Sequence, residues 1–473
     1  MSSVLEKAET KSKCQKFTPT FMVSTMLDVS GYTHQLFGKK VLENSFGSGN
    51  ILKEIVERYI KSCIAEGFSN EKISSGLGKD IYGIELDQEL FSSCIKDLDV
   101  IVSTYNLPPV EWKLYNKDAL SWESNMLFDY VVGNPPYIMY KELDEETRTQ
   151  IKKSFDTCSS GKFDYCYAFI ESGVNCLNEN GKLVQLVPSN IYKNVFGNKL
   201  RLLLREHISI ILDYPAQKIF KDVLTSSSIF VYDKACIKDC IIYRNGTENT
   251  QLEIPRNSLN DKWRFSQETD EYCEKVRFSE YFNAAIVVAT LLNEAFIVSQ
   301  DLIRKYNIES AVIRKAVSPR SFRYNRDENI IFPYYYVDGQ LQRYKTEEFE
   351  EKYPNAVKYL RNFADKLKDR KADKNVSWFE YGRTQALAHL NQNKLLLSTV
   401  MTNQVEVYRL DAETIPYSGI YITCKKDIPL DYAHQLLESK EFKEYVKRVG
   451  INVNGNSIRI TCQDINNFEF LRR

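Results

Sequence analysis

The first 235 residues alternate short apolar runs with segments whose apolar positions recur three and four residues apart, the pattern of strands joined by crossover helices. Val41-Leu42, Ile81 to Leu86, Trp112 to Tyr115, Phe128 to Gly133, Gly181 to Pro188, Ile208 to Leu212 and Ser228 to Tyr232 read as strands. Phe21 to Leu27, Ile51 to Ile60, the segment opened by Phe163-Asp164-Tyr165, and Leu200 to Glu206 read as helices. Thr18 and Pro19 fit the N-cap and first position of the first helix. The glycines of Ser74 to Gly78 predict a loop before the second strand, and the charged stretch Lys141 to Lys153 a surface loop or helix. Strands alternating with helices predict an α/β fold with a mostly parallel sheet.

The texture changes after a polar region at 234–270, which places a domain boundary between residues 245 and 246. Beyond it, alternating Tyr-rich runs at Ile330 to Val337, Leu395 to Val400, Gln404 to Leu410 and Gly419 to Thr423 read as strands of a mixed α+β domain. Lys358 to Lys374 reads as a solvated helix, because Asp365, Asp369 and Asp373 interrupt its basic residues.

The length of 473 residues accommodates two or three domains. Formal net charge is zero, so any affinity for nucleic acid must come from an uneven distribution. Residues 301–473 carry 29 Lys and Arg against 23 Asp and Glu, leaving 34 against 40 in residues 1–300. The eleven cysteines show no CxxC pair and no Cys/His grouping at zinc spacing, which predicts reduced thiols and no metal site. The polar start lacks a signal-peptide core, and the longest apolar stretch, Ile286 to Val298, is interrupted and too short to span a bilayer. A cytoplasmic location is expected.

Candidate chemistry collects at the predicted strand ends. The fourth strand stops in Asn134-Pro135-Pro136-Tyr137. Two prolines fix their own φ and push each preceding residue toward extended geometry, so the corner is stiff. It presents the carbonyls of Asn134 and Pro135 with the Tyr137 ring beside them, which suits a planar group carrying an amino group. The first strand runs into Glu43-Asn44-Ser45-Phe46-Gly47-Ser48-Gly49-Asn50, a Gly-containing turn before a helix, as nucleotide-binding folds use. Glu85 ends the second strand, where an acid commonly accepts hydrogen bonds from ribose hydroxyls, and Asp118 follows the third. Ile219-Phe220 lies between the sixth and seventh strands.

In this order, Phe17-Thr18-Pro19, Glu43 to Asn50, Glu85, Asp118, Asn134 to Tyr137 and Phe220 resemble the γ class of N6-adenine DNA methyltransferases, the TaqI-like group of bacterial restriction–modification systems. The resemblance covers residues 15–235; a looser one, through Trp378 to Arg383, links the rest to target-recognition domains. It implies a Rossmann-like, seven-stranded sheet with one antiparallel strand, S-adenosylmethionine as cofactor, duplex DNA as substrate and a cognate restriction endonuclease as partner. Carried over, Thr18 would hold the methionine carboxylate, and Glu43 with the Phe46-Gly47-Ser48-Gly49 turn would surround the methionine part. Glu85 would bind the ribose diol and Asp118 the adenine amino group of the cofactor. Asn134 and Pro135, on the corner completed by Pro136, would bind the target amino group, with Tyr137 and Phe220 stacking on the flipped base. Arg320, Arg323, Arg326 and Arg383 would contact DNA. Two positions depart from the family's pattern: Asn44 stands where Pro is common, and Ala119 where a larger apolar residue is usual.

Other readings of the same corner remain open at this stage. Release-factor glutamine methyltransferases also use Asn-Pro-Pro-Tyr but are much shorter. Guanine-N2 RNA methylases are a weaker alternative, and a specificity subunit with an inactive cofactor site belongs to a different class.

Overall fold

The computed structural model describes residues 18–123, 125–214, 226–246, 249–265, 275–402, 404–426, 428–454 and 457–471. Phe220 lies outside the described residues. The chain divides into two units, one running to Thr269 and joined by Ile451–Gly455, the other comprising Asp270–Gly450 and Asn456–Arg473.

Among the described residues, the first unit is built on a sheet of nine strands: β1 (Val41–Glu43), β2 (Ile81–Glu85), β3 (Lys113–Asn116), β4 (Phe128–Gly133), β5 (Leu177–Pro188), β6 (Ile208–Tyr214), β7 (Ser227–Asp233), β8 (Cys240–Asn245) and β9 (Thr250–Pro255). They lie in the order β3-β2-β1-β4-β5-β7-β6-β8-β9. β7 runs antiparallel to both its neighbours, while β3, β2, β1, β4 and β5 are mutually parallel. The sheet therefore holds nine strands where seven were expected. β8 adds to β6 in parallel and β9 to β8 antiparallel. This pairing carries the first unit past the boundary expected at 245, through a region whose polarity reflects an exposed edge strand.

Side chains alternate between two cores, as a pleated sheet requires. On one face Val41, Ile81, Val132, Val184 and Leu186 pack with α1 (Thr20–Ser30), α2 (Asn50–Ala65), α3 (Asn70–Asp80) and α4 (Gln88–Thr104). On the other, Leu42, Ile84, Val131, Leu183 and Val187 pack with α5 (Glu145–Ser154), α6 (Cys166–Asn175) and α7 (Asn198–Arg205). The loop expected at Ser74 to Gly78 is instead the body of α3. A Cβ at Gly76 would come within 2.3 Å of the Tyr59 hydroxyl, and one at Gly78 within 2.8 Å of the Glu111 carbonyl. These glycines serve close packing, which outweighs their poor helix propensity of about 1 kcal/mol each. At α1, Pro19 rather than Thr18 occupies the N-cap position.

The second unit mixes small sheets with short helices. One four-stranded sheet joins Phe282–Ile286, Ile420–Cys424, Lys394–Leu397 and Val407–Leu410; another joins Ile297–Val298, Glu328–Ile331, Ile313–Val317 and Ile415–Pro416. The run Ile330 to Val337 is broken at Phe332-Pro333, so that Tyr334–Val337 turns back as a hairpin with Gln340–Arg343. Among the described residues, no helix is long and apolar enough to cross a membrane, and no cluster of His, Cys, Asp and Glu has the makings of a metal site.

Candidate active site

Because β3, β2, β1 and β4 are parallel neighbours, Asp118, Glu85, Glu43 and Asn134 all stand at one edge of the sheet. Glu43 closes β1 and is almost wholly buried. Burial holds its carboxyl well above the usual carboxylate range, against a partly compensating hydrogen bond from the Leu52 amide in the first turn of α2. Its Oε2 has no hydrogen-bond partner among the described residues. A buried carboxyl oxygen without a donor is costly by itself and fits a ligand that brings one, such as an ammonium group.

The Gly turn is held by its own backbone and by Glu85. The Gly49 amide donates to the Phe46 carbonyl at 2.7 Å, and the Gly47 amide to Glu85 Oε2 at 2.8 Å. Gly47 and Gly49 both have positive φ, at 53° and 76°. A Cβ at Gly49 would collide with Cys94 Sγ at 2.2 Å, so close packing of α4 against the turn requires glycine there. Among the described residues, nothing lies within 4 Å of a Cβ at Gly47, which leaves space on that side of the turn. Phe46 itself is buried beside Phe91 and belongs to the core. Glu85 accepts a second amide, that of Asp87, at 2.9 Å on its other oxygen. Asp118 is half-buried, with Oδ1 accepting from the Leu120 amide at 3.0 Å. The two acids thus stand with fixed rotamers, each carboxylate oxygen having a further lone pair to offer.

The corner after β4 is pinned on both sides. Asn134 Nδ2 donates to Thr18 Oγ1 at 3.0 Å, which orients the amide with its oxygen away from Thr18. Thr18 is buried and its carbonyl accepts from Asn50 Nδ2 at 3.1 Å, tying it to the start of α2. The structure thereby assigns Thr18 a contact that the sequence did not disclose. The Tyr137 hydroxyl donates to the Leu186 carbonyl at 2.9 Å and burial raises its pKa well above the ordinary value, so it is a fixed neutral donor. Past the corner, Met139 bridges to Asp164, and the Tyr165 amide donates to the Ile138 carbonyl at 3.1 Å, anchoring the chain to the start of α6.

On the opposite face of the sheet stands a pair that sequence reasoning missed. Asn44 and Gln185 are both buried. Asn44 Nδ2 reaches the Phe169 carbonyl at 3.3 Å, while its Oδ1 and both amide atoms of Gln185 have no partner among the described residues. Gln185 sits in the run Leu183 to Pro188, otherwise Leu, Val and Pro, and such an apolar run gives no sign that its one amide is buried.

In the second unit, Arg320 and Arg323 belong to the short helix Pro319–Arg323, and Arg326 follows. Arg320 and Arg326 both lie over the exposed Tyr324 ring, at 5.9 and 5.7 Å from its centroid. Arg323 pairs with Glu406 at 3.3 Å, and Phe322 stacks on Tyr408 at 4.4 Å. Arg383 is exposed, at the isolated bridge between its backbone and Ala289. The aromatic residues before it are core: Phe379 stacks on Phe349 at 4.1 Å, and the Tyr381 hydroxyl donates to the Ile331 carbonyl at 2.8 Å.

A mostly parallel sheet in this order, with one reversed strand and polar side chains gathered at the carboxyl ends of β1, β2 and β4, defines an α/β fold with helices on both faces. Comparison with known proteins sharpens the class. Residues 50–220 match the family described as Eco57I restriction-modification methylase. The chain is 23% identical to the type II methyltransferase M.BstVI of Geobacillus stearothermophilus over 94% of its own length and 88% of that protein's. It is also 23% identical to the type II restriction enzyme and methyltransferase RM.Eco57I of Escherichia coli, covering 69% of this chain and 38% of that one. Among solved structures, the type IIL restriction-modification enzyme MmeI in complex with DNA superposes with a TM-score of 0.62 at 14% identity, over 95% of this chain and 66% of that one. The DrdV–DNA complex gives 0.54 at 11% identity, over 91% of this chain and 53% of that one. The chain thus spans most of M.BstVI, two thirds of MmeI, and little more than a third of RM.Eco57I.

Proposed function

We propose that the protein transfers a methyl group from S-adenosylmethionine to the N6 amino group of an adenine flipped out of duplex DNA, as the modification enzyme of a restriction–modification system. The observation that carries this reading is the Asn134 corner. Its amide is turned by Thr18, its Tyr137 is fixed to Leu186, and it stands at the same strand edge as the buried Glu43.

The donor set fits S-adenosylmethionine. The Glu43 oxygen that lacks a partner suits the ammonium of its methionine part, the open side of the Gly47 turn admits a close ligand, and the fixed carboxylates of Glu85 and Asp118 suit ribose hydroxyls and an adenine amino group. When bound, this cofactor supplies an electrophilic methyl group on a positively charged sulfur. An exocyclic adenine amino group is a poor nucleophile, because its lone pair is delocalised into the ring. The Asn134 side-chain oxygen and the Pro135 carbonyl accept its two hydrogens, which favours a pyramidal nitrogen and gathers the lone pair on one side. Catalysis then rests on positioning and on acceptors already in place, with no strong base. Taking the base out of the duplex costs a few kcal/mol. Stacking on Tyr137 offsets roughly 1–3 kcal/mol of that. Phe220 is proposed as the partner ring. In the second unit, Arg320, Arg326 and Arg383 are exposed and suited to phosphates and base edges, whereas Arg323 must first exchange Glu406 for DNA.

The test is to sequence DNA from cells expressing the protein and look for N6-methyladenine in a fixed motif. Methylation of a protein glutamine, with no modified adenine, would replace this reading.

A further inference from the structure

Asn44, Gly133 and Gln185 stand side by side at the ends of β1, β4 and β5. Gly133 is registered opposite Gln185, and Leu42 opposite Val131, which brings Asn44 level with Gly133 two residues on. All three face the α6 side of the sheet, where Leu42, Val131 and Leu183 precede them by two positions. The middle member has no side chain. A Cβ at Gly133 would lie 3.1 Å from Asn44 Oδ1 and 3.9 Å from Gln185 Nε2. The two amides therefore converge on a notch over the residue that precedes Asn134.

Each amide atom facing this notch is buried, and none has a hydrogen-bond partner among the described residues. An orphaned buried amide costs about 1–3 kcal/mol. Two such atoms, Asn44 Oδ1 and Gln185 Nε2, border the notch and make it a polar place. A buried water needs two to four polar partners, and these atoms supply an acceptor and a donor. One residue further along the chain, the Leu186 carbonyl already holds the Tyr137 hydroxyl. The strand that carries Gln185 thus fixes the corner from one face through its backbone and borders it on the other through its side chain.

We propose that Asn44 and Gln185 are positioning residues, which hold one ordered water over Gly133 and thereby set the end of β4 from which Asn134 projects. The catalytic consequence rests on the methyl transfer proposed above; the bridging water does not. The device is specific to a chain with Asn at position 44, since a proline there would leave the Gln185 amide without its counterpart. A displacement of about 1 Å at a reacting group can cost 10²-fold in rate, so a slack corner should slow transfer without weakening either ligand.

The experiment compares the full-length protein with Gln185→Leu, Asn44→Ala and the double variant, by single-turnover methyl transfer to a substrate duplex and by titration of the methyl donor. Gln185→Leu should lower the transfer rate about tenfold or more, with donor affinity and KM for DNA within twofold. The double variant should be no slower than the slower single variant, because both remove the same bridge. A transfer rate within twofold of the parent, or rate reductions that multiply in the double variant, would overturn the proposal. Should Gln185→Leu fail to fold, Gly133→Ala is the second probe: its methyl group enters the notch and should reproduce the slower rate, and an undiminished rate would count against the device. A high-resolution crystal structure of the parent protein reads the water independently of activity. Density within hydrogen-bond reach of both amides supports the proposal, and its absence, or a direct Asn44–Gln185 hydrogen bond, overturns it. If the parent itself transfers no methyl group to DNA, the functional reading fails while the crystallographic arm still decides the bridge.

Discussion

The two units hold their polar side chains in opposite ways. At the strand ends of the first, Thr18, Glu43, Asn44 and Gln185 are buried, and Asn134 is bonded to Thr18. In the second, Arg320, Arg326 and Tyr324 lie on the surface and touch mainly each other, and Arg323 holds a half-exposed Glu406. Burial fixes rotamers, so the first arrangement has already met the cost of orienting its groups during folding. The second has yet to meet it, and exposed ion pairs of this kind contribute only about 0–1 kcal/mol. A reaction centre gains from preorganisation, whereas a surface meeting a long polyanion gains from side chains able to adjust.

By that contrast, the largest effect belongs to the most constrained group. Asn134→Ala should lower kcat for methyl transfer by about 10²–10³-fold, the usual cost of removing one preorganised group at the reacting centre. Donor affinity, measured by calorimetry, should change by less than threefold, and a wild-type rate would remove Asn134 from the reaction. Next comes the group that turns it. Thr18→Val keeps the shape but removes an acceptor worth about 1 kcal/mol, so the rate should drop roughly tenfold with the fold intact. An unchanged rate would mean that Asn134 needs no orientation.

Exposed arginines should behave differently. Replacing Arg320 and Arg326 with Ala should weaken duplex binding evenly across sequences and lower the slope of log K against log salt by about 1 for each phosphate no longer neutralised. Weakening confined to one sequence would mark them as base readers instead. The smallest effect is on stability. Since burial raises the Glu43 pKa, the folded state binds a proton there more tightly than the unfolded chain does. Stability from this group is therefore present below the unfolded carboxylate pKa of about 4.3 and is lost as pH rises above it. Glu43→Gln should remove that dependence and raise the melting temperature of the ligand-free protein at pH 7.5 by about 2–4 °C, while donor affinity falls. A variant that melts lower, or binds the donor as well as the parent, would contradict the assignment of Glu43.

The parts of this architecture legible in the sequence are those fixed by local chemistry. The corner at Pro135-Pro136 is stiff whatever surrounds it, and the apolar runs that became β4, β5, β6 and β7 are buried on both faces, so hydrophobicity alone announces them. What the sequence concealed depends on distant partners. Gly76 and Gly78 look like loop residues until Tyr59 and Glu111 are seen against them. Trp378 to Tyr381 looks like a recognition surface until Phe349 is found stacked on Phe379 and the Tyr334 hydroxyl bonded to the Tyr381 amide. The contact between Thr18 and Asn134 spans 116 residues, and no local pattern encodes it.

The two extra strands have a practical consequence for anyone dissecting the molecule. A fragment cut after residue 245 would keep β8 and discard β9, whose backbone pairs with β8 from Cys240–Pro255 to Asn245–Thr250. The stump would display a bare ladder of amides and carbonyls six residues long, the kind of rim that recruits a second chain and seeds precipitates. Cutting near residue 269 instead leaves that rim capped by its own hairpin, and the piece so made should stay monodisperse at concentrations where the shorter one clumps.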